Sequence, residues 1–375
     1  MTLLLLLSAA AWSSPCEALL QPRTPGVPGA PAQAVATDTL CLQLDLDVAG
    51  RAAMTTPAVG VSRELLLSRG QAELELRAPV ASARLNLDAV RSGGAAGYVG
   101  VAGESLVPRV QVAEARLDLT ALGLAAAGGL VDDLWVIGAQ DAWALPAVAL
   151  TMGQEQGWLE RSDLGLWAAW TAPRRLVTIS ASALSGEGLA RRERNNGQNL
   201  MGIVTVRPLG LTTLPADRVE VSVMAREGSR GVSYAPDHRV GARATVNHPI
   251  ASASAELLLG WGYDTDSKAL PAGLSLSARC GEGCPVIAWV RVDWTTNQRD
   301  LDESDAVTWR VGLGPKLPGP TVAGLPGVQL VVGAEGRYAQ SQATALAGAE
   351  AAAQTHTVFL QLNARLRGGS PLSPS

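Results

Sequence analysis

Apolar and polar residues alternate along most of this chain. In the stretch RVEVSVMAR, Val219, Val221, Val223 and Ala225 fall on one set of positions, and Arg218, Glu220, Ser222, Met224 and Arg226 on the other. Successive side chains of a β-strand point to opposite faces, so this reads as a strand with one apolar and one mostly polar face. TLCLQLDLDVAG repeats the pattern, with Leu40, Leu42, Leu44, Leu46 and Val48 against Gln43, Asp45 and Asp47. QAELELRA sets Ala72, Leu74 and Leu76 against Glu73, Glu75 and Arg77. SARLNLDAV sets Leu85 and Leu87 against Arg84, Asn86 and Asp88. RVGARATVN, SLSAR, VIAWVRVDW, VTWRVGLG, GVQLVVGAEGRY and TVFLQLNARLR carry it almost to the end. Helical periodicity never competes for long, so the prediction is an all-β chain.

A single strand does not say which face looks at what. In a soluble sandwich or propeller the apolar face meets a core; in a membrane barrel it meets lipid and the polar face meets water. The connections discriminate. APVAS, TAPRR, NHPIAS and CGEGC are tight, whereas RSGGAAGYVGVAGESLVPR, SGEGLARRERNNGQ, EGSRGVSYAPDH, TTNQRDLDESDA and AQSQATALAGAEAAAQT are long and polar or glycine-rich. Mostly short and mostly long connections alternate, as periplasmic turns and external loops do in an outer-membrane barrel; RPLGLTTLPAD and GPKLPGPTVAGLPG are longer than ideal turns, but their position keeps the parity. TALGLAAAGGL sets the strand count. If it turns near Leu122, Leu124 to Leu130 forms a new strand, the count is about sixteen, and both chain ends lie on the periplasmic side. The prediction is a transmembrane antiparallel up-and-down β-barrel over residues 39–367, with a disordered tail over 368–375.

That parity makes Val131 to Arg161 the third external loop and the longest. It carries Trp135, Trp143 and Trp158, which want partly buried surroundings. The loop is therefore expected to fold into the lumen and set its narrowest point, with Asp132, Asp133, Asp141, Glu155 and Glu160 adding negative charge there. The alternative is that the tryptophans cap the barrel rim or a subunit contact.

Composition narrows the function. The hydrophobic fraction is 47%, yet no run of about 20 apolar residues lies outside the N-terminus, which excludes a helical membrane protein. Gly 40 and Pro 22 suit many turns. A formal net charge of -4 gives a nucleic-acid partner no electrostatic support. Leu3 to Leu7 followed by Ser and Ala reads as the core of a secretory signal over residues 1–18, without the usual basic start. Residues 19–38, rich in Pro, Ala and Gly, read as a linker. Pro15 argues against a lipid anchor on Cys16. Cys280 and Cys284 flank GEG in ARCGEGCPV, and a strand pair turning there would join them in a disulfide. A zinc half-site at the same pair finds no nearby His to complete it. Cys41, on the polar side of its strand, reads as a bystander.

The polar faces carry too many ions for a dry interior. Asp45, Asp47, Glu73, Glu75, Asp88, Glu114 and Asp118 dominate the early strands, with Arg77, Arg84 and Arg116 among them. Arg218, Arg226, Arg239, Arg243, Arg279, Arg291, Arg310, Arg337 and Arg365 dominate the later ones. Across a closed barrel these sets would face one another and create a transverse field. Alternatively they pair locally between adjacent strands.

GLVDDLWVIG, GWLERSDLGLWAAWTAP, LVTISASALSGEG and RRERNNGQNLMGIVTVRPLG resemble the phosphate-selective porin O/P family, best over roughly residues 70 to 210. Arg161, Ser162, Asp163, Leu164 and Gly165 match that family's return from the third loop. The resemblance implies a sixteen-stranded barrel, commonly a homotrimer, in the bacterial outer membrane, with the third loop folded into the pore. The chain departs from the family in its lysines, of which it has only Lys268 and Lys316, and in lacking a terminal aromatic after NARLR. Near-absence of lysine and a mixed-sign lumen count against phosphate selectivity. The resulting expectation is a porin passing small polar or anionic solutes, in contact with outer-membrane lipid and needing no cofactor. The alternatives are an adhesin or structural barrel without solute flux, and an outer-membrane hydrolase. For the last, the chain offers only His238, His248 and His356, and no nucleophile elbow, zinc motif or phosphate loop.

Overall fold

The computed structural model describes residues 40–372 apart from 57–61, 93–104, 144, 146–148, 187, 189–197, 213–214, 216–217, 231–234, 263–269, 282–283, 298–304, 316–327 and 340–352. The signal and linker expected over 1–38 lie outside the described residues. The strands are β1 (Leu40–Thr56), β2 (Ser62–Arg77), β3 (Ala81–Ser92), β4 (Ser105–Leu119), β5 (Leu124–Asp132), β6 (Ser162–Thr171), β7 (Val177–Leu184) and β8 (Asn199–Val206). They continue as β9 (Val219–Glu227), β10 (His238–Asn247), β11 (Ala251–Trp261), β12 (Ala272–Cys280), β13 (Val286–Thr296), β14 (Asp305–Pro315), β15 (Val328–Ala339) and β16 (Ala353–Leu372). Each pairs antiparallel with the next, and β16 closes on β1 from Leu40↔Leu372 to Thr56↔His356. The result is a closed sixteen-stranded barrel. Closure matters because an open edge would leave unpaired backbone groups facing hydrocarbon.

Its polarity is inverted relative to a soluble β-protein. On β9, Val221 and Val223 are 46% and 51% exposed, while Ser222, Met224 and Arg226 are buried inside. β8 repeats this, with Leu200, Val204 and Val206 outward and Met201, Ile203 and Thr205 inward. Apolar side chains point out of the barrel and ions point in, as a lipid-facing wall requires. Among the described residues no helix is long and apolar enough to cross a membrane.

The turn that sets the strand count lies at Thr120–Leu122, a single 3-10 turn closed by Gly123 with φ 67°. A Cβ there would sit 2.3 Å from the Thr171 carbonyl oxygen, so the sharp reversal needs glycine. β5 then leaves as a new strand. Both barrel termini and the connections after the even-numbered strands share one end, and the connections after the odd-numbered strands, the third loop among them, share the other; the links after β8 and β14 are longer than tight turns but keep this parity.

The boundaries differ from the sequence reading in three places. β2 begins at Ser62 and not near Gln71, because its first half pairs with β1. β16 runs to Leu372, past the expected end at residue 367, because β1 extends back to Leu40 to meet it. β5 reaches Asp132, so the third loop starts at Asp133. Cys280 and Cys284 form a disulfide with Cα atoms 6.0 Å apart. Cys41 is disulfide-bonded as well, which corrects its reading as a bystander.

Candidate functional site in the barrel lumen

The described residues of the third loop, 133–161, lie inside the barrel. It holds α1 (Leu134–Trp143) and the single-turn α2 (Met152–Glu155). Asp133 starts α1 as its N-cap: its Oδ1 accepts the backbone N–H groups of Trp135 at 2.9 Å and Val136 at 3.1 Å. α2 follows Thr151, whose N and Oγ1 donate to Gln154 Oε1. Gln140 Nε2 donates to the same oxygen at 2.8 Å, so the end of α2 is tied beside the middle of α1.

The apolar face of α1 needs a surface, and the wall supplies one by breaking its own pattern. Trp167 on β6, Leu184 on β7, Met201 and Ile203 on β8, Met224 on β9 and Leu258 on β11 all face inward and are buried against Leu134, Trp135 and Trp158. A second inward patch, Ile287, Trp289, Val331 and Phe359, receives Trp143. The loop thus crosses the lumen from one wall to another. Hydrogen bonds fix the tryptophans: Trp135 Nε1 donates to Glu256 Oε1 at 2.7 Å, Trp143 Nε1 to the Ala149 carbonyl at 3.1 Å, and Trp158 Nε1 to Asn297 Oδ1 at 3.3 Å.

The acids anticipated on the loop divide. Asp133 meets Arg226 at 3.1 Å, and Glu155 meets Arg310 at 2.8 Å and Arg291 at 3.8 Å. These two do lie opposite later-strand arginines. Asp132 does not; it is fully buried against Arg84 of β3 and against Arg161 at 3.4 Å. It sits at the strand end, where the early wall is nearer. Glu160 is half-buried against Gly188 and pairs with none of the described later-strand arginines. Asp141 faces a cavity and has no ion pair among the described residues.

The arginines divide too. Arg226, Arg243, Arg291 and Arg310 reach the loop. Arg239 is drawn to the external end of β10, bound to Asp237 at 2.8 Å and to the carbonyls of His238 and Gly262. Arg279 is half-buried next to the Cys280 turn, at the opposite end. Arg337 is exposed on β15. Arg218 precedes β9 in the connecting turn, so it is not part of the strand wall.

Pairing between neighbours governs the charges. On the early strands Arg77 pairs with Glu75 at 2.5 Å, Arg84 with Glu114 at 2.9 Å, Arg109 with Asp88 at 3.2 Å and Arg116 with Asp118 at 2.7 Å. On the later ones Arg207 pairs with Glu220 at 3.0 Å, Arg291 with Asp293 at 2.7 Å, and Arg310 with Asp293 at 3.0 Å. Most wall charge is thereby neutralised within a few ångströms, which leaves little for a field across the pore.

Arg243 is the exception at the loop. Its Nη1 donates to the Trp135 carbonyl at 3.0 Å and its guanidinium lies 4.3 Å from the Trp135 ring centroid. Gly138, mid-helix in α1, makes this approach possible, since a Cβ would fall 2.2 Å from Arg243 Nη2. Glycine there costs about 1 kcal/mol of helix stability relative to alanine. Beneath α1, Arg243 and Asp141 line a cavity of about 150 Å³ floored by Ser180, Thr205, Ser222 and Thr245 of β7 to β10. Loss of hydration inside the barrel pushes the Asp141 carboxyl up to about 6, with Arg243 opposing the rise.

No family model and no curated sequence matches the chain. Solved structures do. An anion-selective porin from Comamonas acidovorans superposes with TM-score 0.59 at 11% identity, over 87% of this chain and 100% of that one. The outer membrane channel DcaP of Acinetobacter baumannii gives 0.58 at 9% identity, over 87% and 97%. Salmonella typhi OmpF, in complex with daunomycin, gives 0.57 at 9% identity, over 86% and 97%. At such identities the likeness is one of fold: this chain folds as a porin-like outer-membrane β-barrel.

Proposed function

We propose that this barrel sits in the outer membrane as a diffusion channel for small polar solutes, anionic ones among them, with the third loop setting its constriction. One observation carries the reading most: the interior is lined with ions and hydroxyls and is crossed by a docked, hydrogen-bonded helix. Sixteen strands enclose a lumen wide enough for water, and the loop narrows it. Phosphate selectivity is not part of the proposal. Arg226, Arg291 and Arg310, which would bind phosphate, are occupied by Asp133, Asp293 and Glu155. A homotrimer belongs to the reading as its expected assembly.

The test is single-channel recording in a planar bilayer. The full chain should produce discrete conductance steps. A variant lacking 140–154 should give larger steps, and its barrel should stay folded because Gln140 and Gln154 already touch and the excision joins neighbouring points. A correctly folded barrel without any steps would favour an adhesin or structural role. Unchanged steps in the deletion would show that the loop is not the constriction.

A further inference from the structure

We propose that the cavity beneath α1 is a binding subsite for small zwitterions of the α-amino acid type, the carboxylate seated on Arg243 and the ammonium on Asp141. The inference rests on the channel reading for the route by which such a solute arrives, and it names the solute class.

Two opposite charges on one cavity carry the argument. Four wall arginines reach the third loop, and Arg226, Arg291 and Arg310 each have a carboxylate within the 4.0 Å of an ion pair. Arg243, 9% exposed, has none among the described residues and gives one hydrogen bond, to a carbonyl. A guanidinium carries five N–H donors, so Arg243 keeps donors for the cavity it lines. Asp141 lines the same cavity and likewise lacks an ion pair among the described residues, although it projects from the helix that Arg243 stacks against. The two are held apart by their attachments: Arg243 is pinned on Trp135 beside Gly138, and Asp141 is fixed by its place on α1. A ligand with both charges would complete each of them. A simple anion would leave Asp141 repelling it, and a simple cation would meet the same objection from Arg243.

The remaining walls suit the same class. Ser180 and Thr245 present hydroxyls, which accept or donate as the ligand requires, while the Ser222 hydroxyl is shared with Thr205 at 2.8 Å. Arg207 and Glu220 also line the cavity, but they hold each other at 3.0 Å, so neither competes for the ligand. A volume of about 150 Å³ admits a solute of few heavy atoms and excludes large ones.

The experiment is isothermal titration calorimetry on the purified full chain in detergent, near neutral pH, with L-serine, acetate and ethylammonium as probes. L-serine should bind, and acetate and ethylammonium about tenfold more weakly or worse, since each makes only one of the two charged contacts. Arg243→Gln and Asp141→Asn should each weaken L-serine binding about tenfold. Asp141 makes no ion pair among the described residues and Asn matches it in shape, so Asp141→Asn leaves the fold intact and keeps the test decisive if Arg243→Gln unfolds. Gly138→Ala, which pushes the guanidinium end aside, should also weaken binding. Acetate binding as tightly as L-serine, or L-serine affinity unmoved by Asp141→Asn, would overturn the proposal. So would L-serine failing to bind a protein that conducts in bilayers, and that outcome would leave the channel reading standing. Binding without conductance would sustain the subsite and refute the channel.

Discussion

Replacing Trp135 tests whether the third loop is held in the lumen as described. The side chain is 0% exposed, donates to Glu256 at 2.7 Å, and carries Arg243 on its ring. Trp135→Ala removes about 3–5 kcal/mol of packing. The orphaned Glu256 carboxylate and the lost cation–π contact overlap with that figure, so it serves as the total. The barrel ladder does not depend on Trp135, so the loss falls on loop docking. A deficit of about 3 kcal/mol shifts the docked-to-undocked ratio by roughly a hundredfold. Hydrogen exchange read by mass spectrometry should therefore show the α1 amides, 134–143, losing about that factor in protection, with the strands unchanged. Single-channel current should become noisy as the loop moves. Trp135→Phe keeps most of the area but strands Glu256 without its donor, for about 1–3 kcal/mol. Its effect should be intermediate. If α1 kept its protection in Trp135→Ala, the docking energetics argued here would be wrong.

Other outcomes follow from the same geometry. Val221→Arg, on the outer face, should destabilise the barrel by about 2–4 kcal/mol near the bilayer midplane; a spin label there should be relaxed by oxygen and shielded from water-soluble quenchers. Cys280 and Cys284 should resist alkylation until reduced, and Cys280→Ala with Cys284→Ala should cost at most about 2 kcal/mol for so short a loop while leaving the barrel assembled. Asp141, faced by Arg243, Asp132, Glu220 and Arg161, has its carboxyl raised to about 6 by lost hydration, so it is mostly ionised at pH about 7.5 and mostly neutral at about 5. Reversal potentials in a salt gradient should accordingly move toward anions as the pH falls through that value, and Asp141→Asn should abolish the change.

The barrel was legible in the sequence because its governing signal is local. Period-2 alternation and turn length are properties of a few residues each, and TALGLAAAGGL carried its reversal in one glycine, Gly123. The orientation of β9 followed from loop parity, since the alternation is the same in either orientation. The partners of the lumen charges were not legible. Asp132 lies two positions past the expected strand end, and only the registry of β3 to β5 brings Arg84 onto it. The docking surface for the loop was present in the text but disguised. Met224 in RVEVSVMAR, Trp289 in VIAWVRVDW and Leu258 in ASAELLLGW are apolar residues on the polar face of their strands, and each faces the loop or its flanks. Read as noise in the alternation, such residues mean little. Their common purpose appears only when the strands are set side by side. Gly138 was equally opaque, because no local rule says that a guanidinium from β10 must lie there.

The hydrogen bond from Trp135 to Glu256 joins residues 121 apart in the chain, and Arg310 reaches back 155 residues to Glu155. Loops that must wait for distant partners settle late. The third loop is made before β6 to β16, yet its seat is built from residues on those strands, from Trp167 to Phe359. Its full set of contacts therefore exists only once those strands have joined the sheet. A barrel closed in the wrong register would misplace Glu256, Arg291 or Arg310 and leave the loop without a seat. Protease resistance of the loop thus reports correct closure of the whole cylinder.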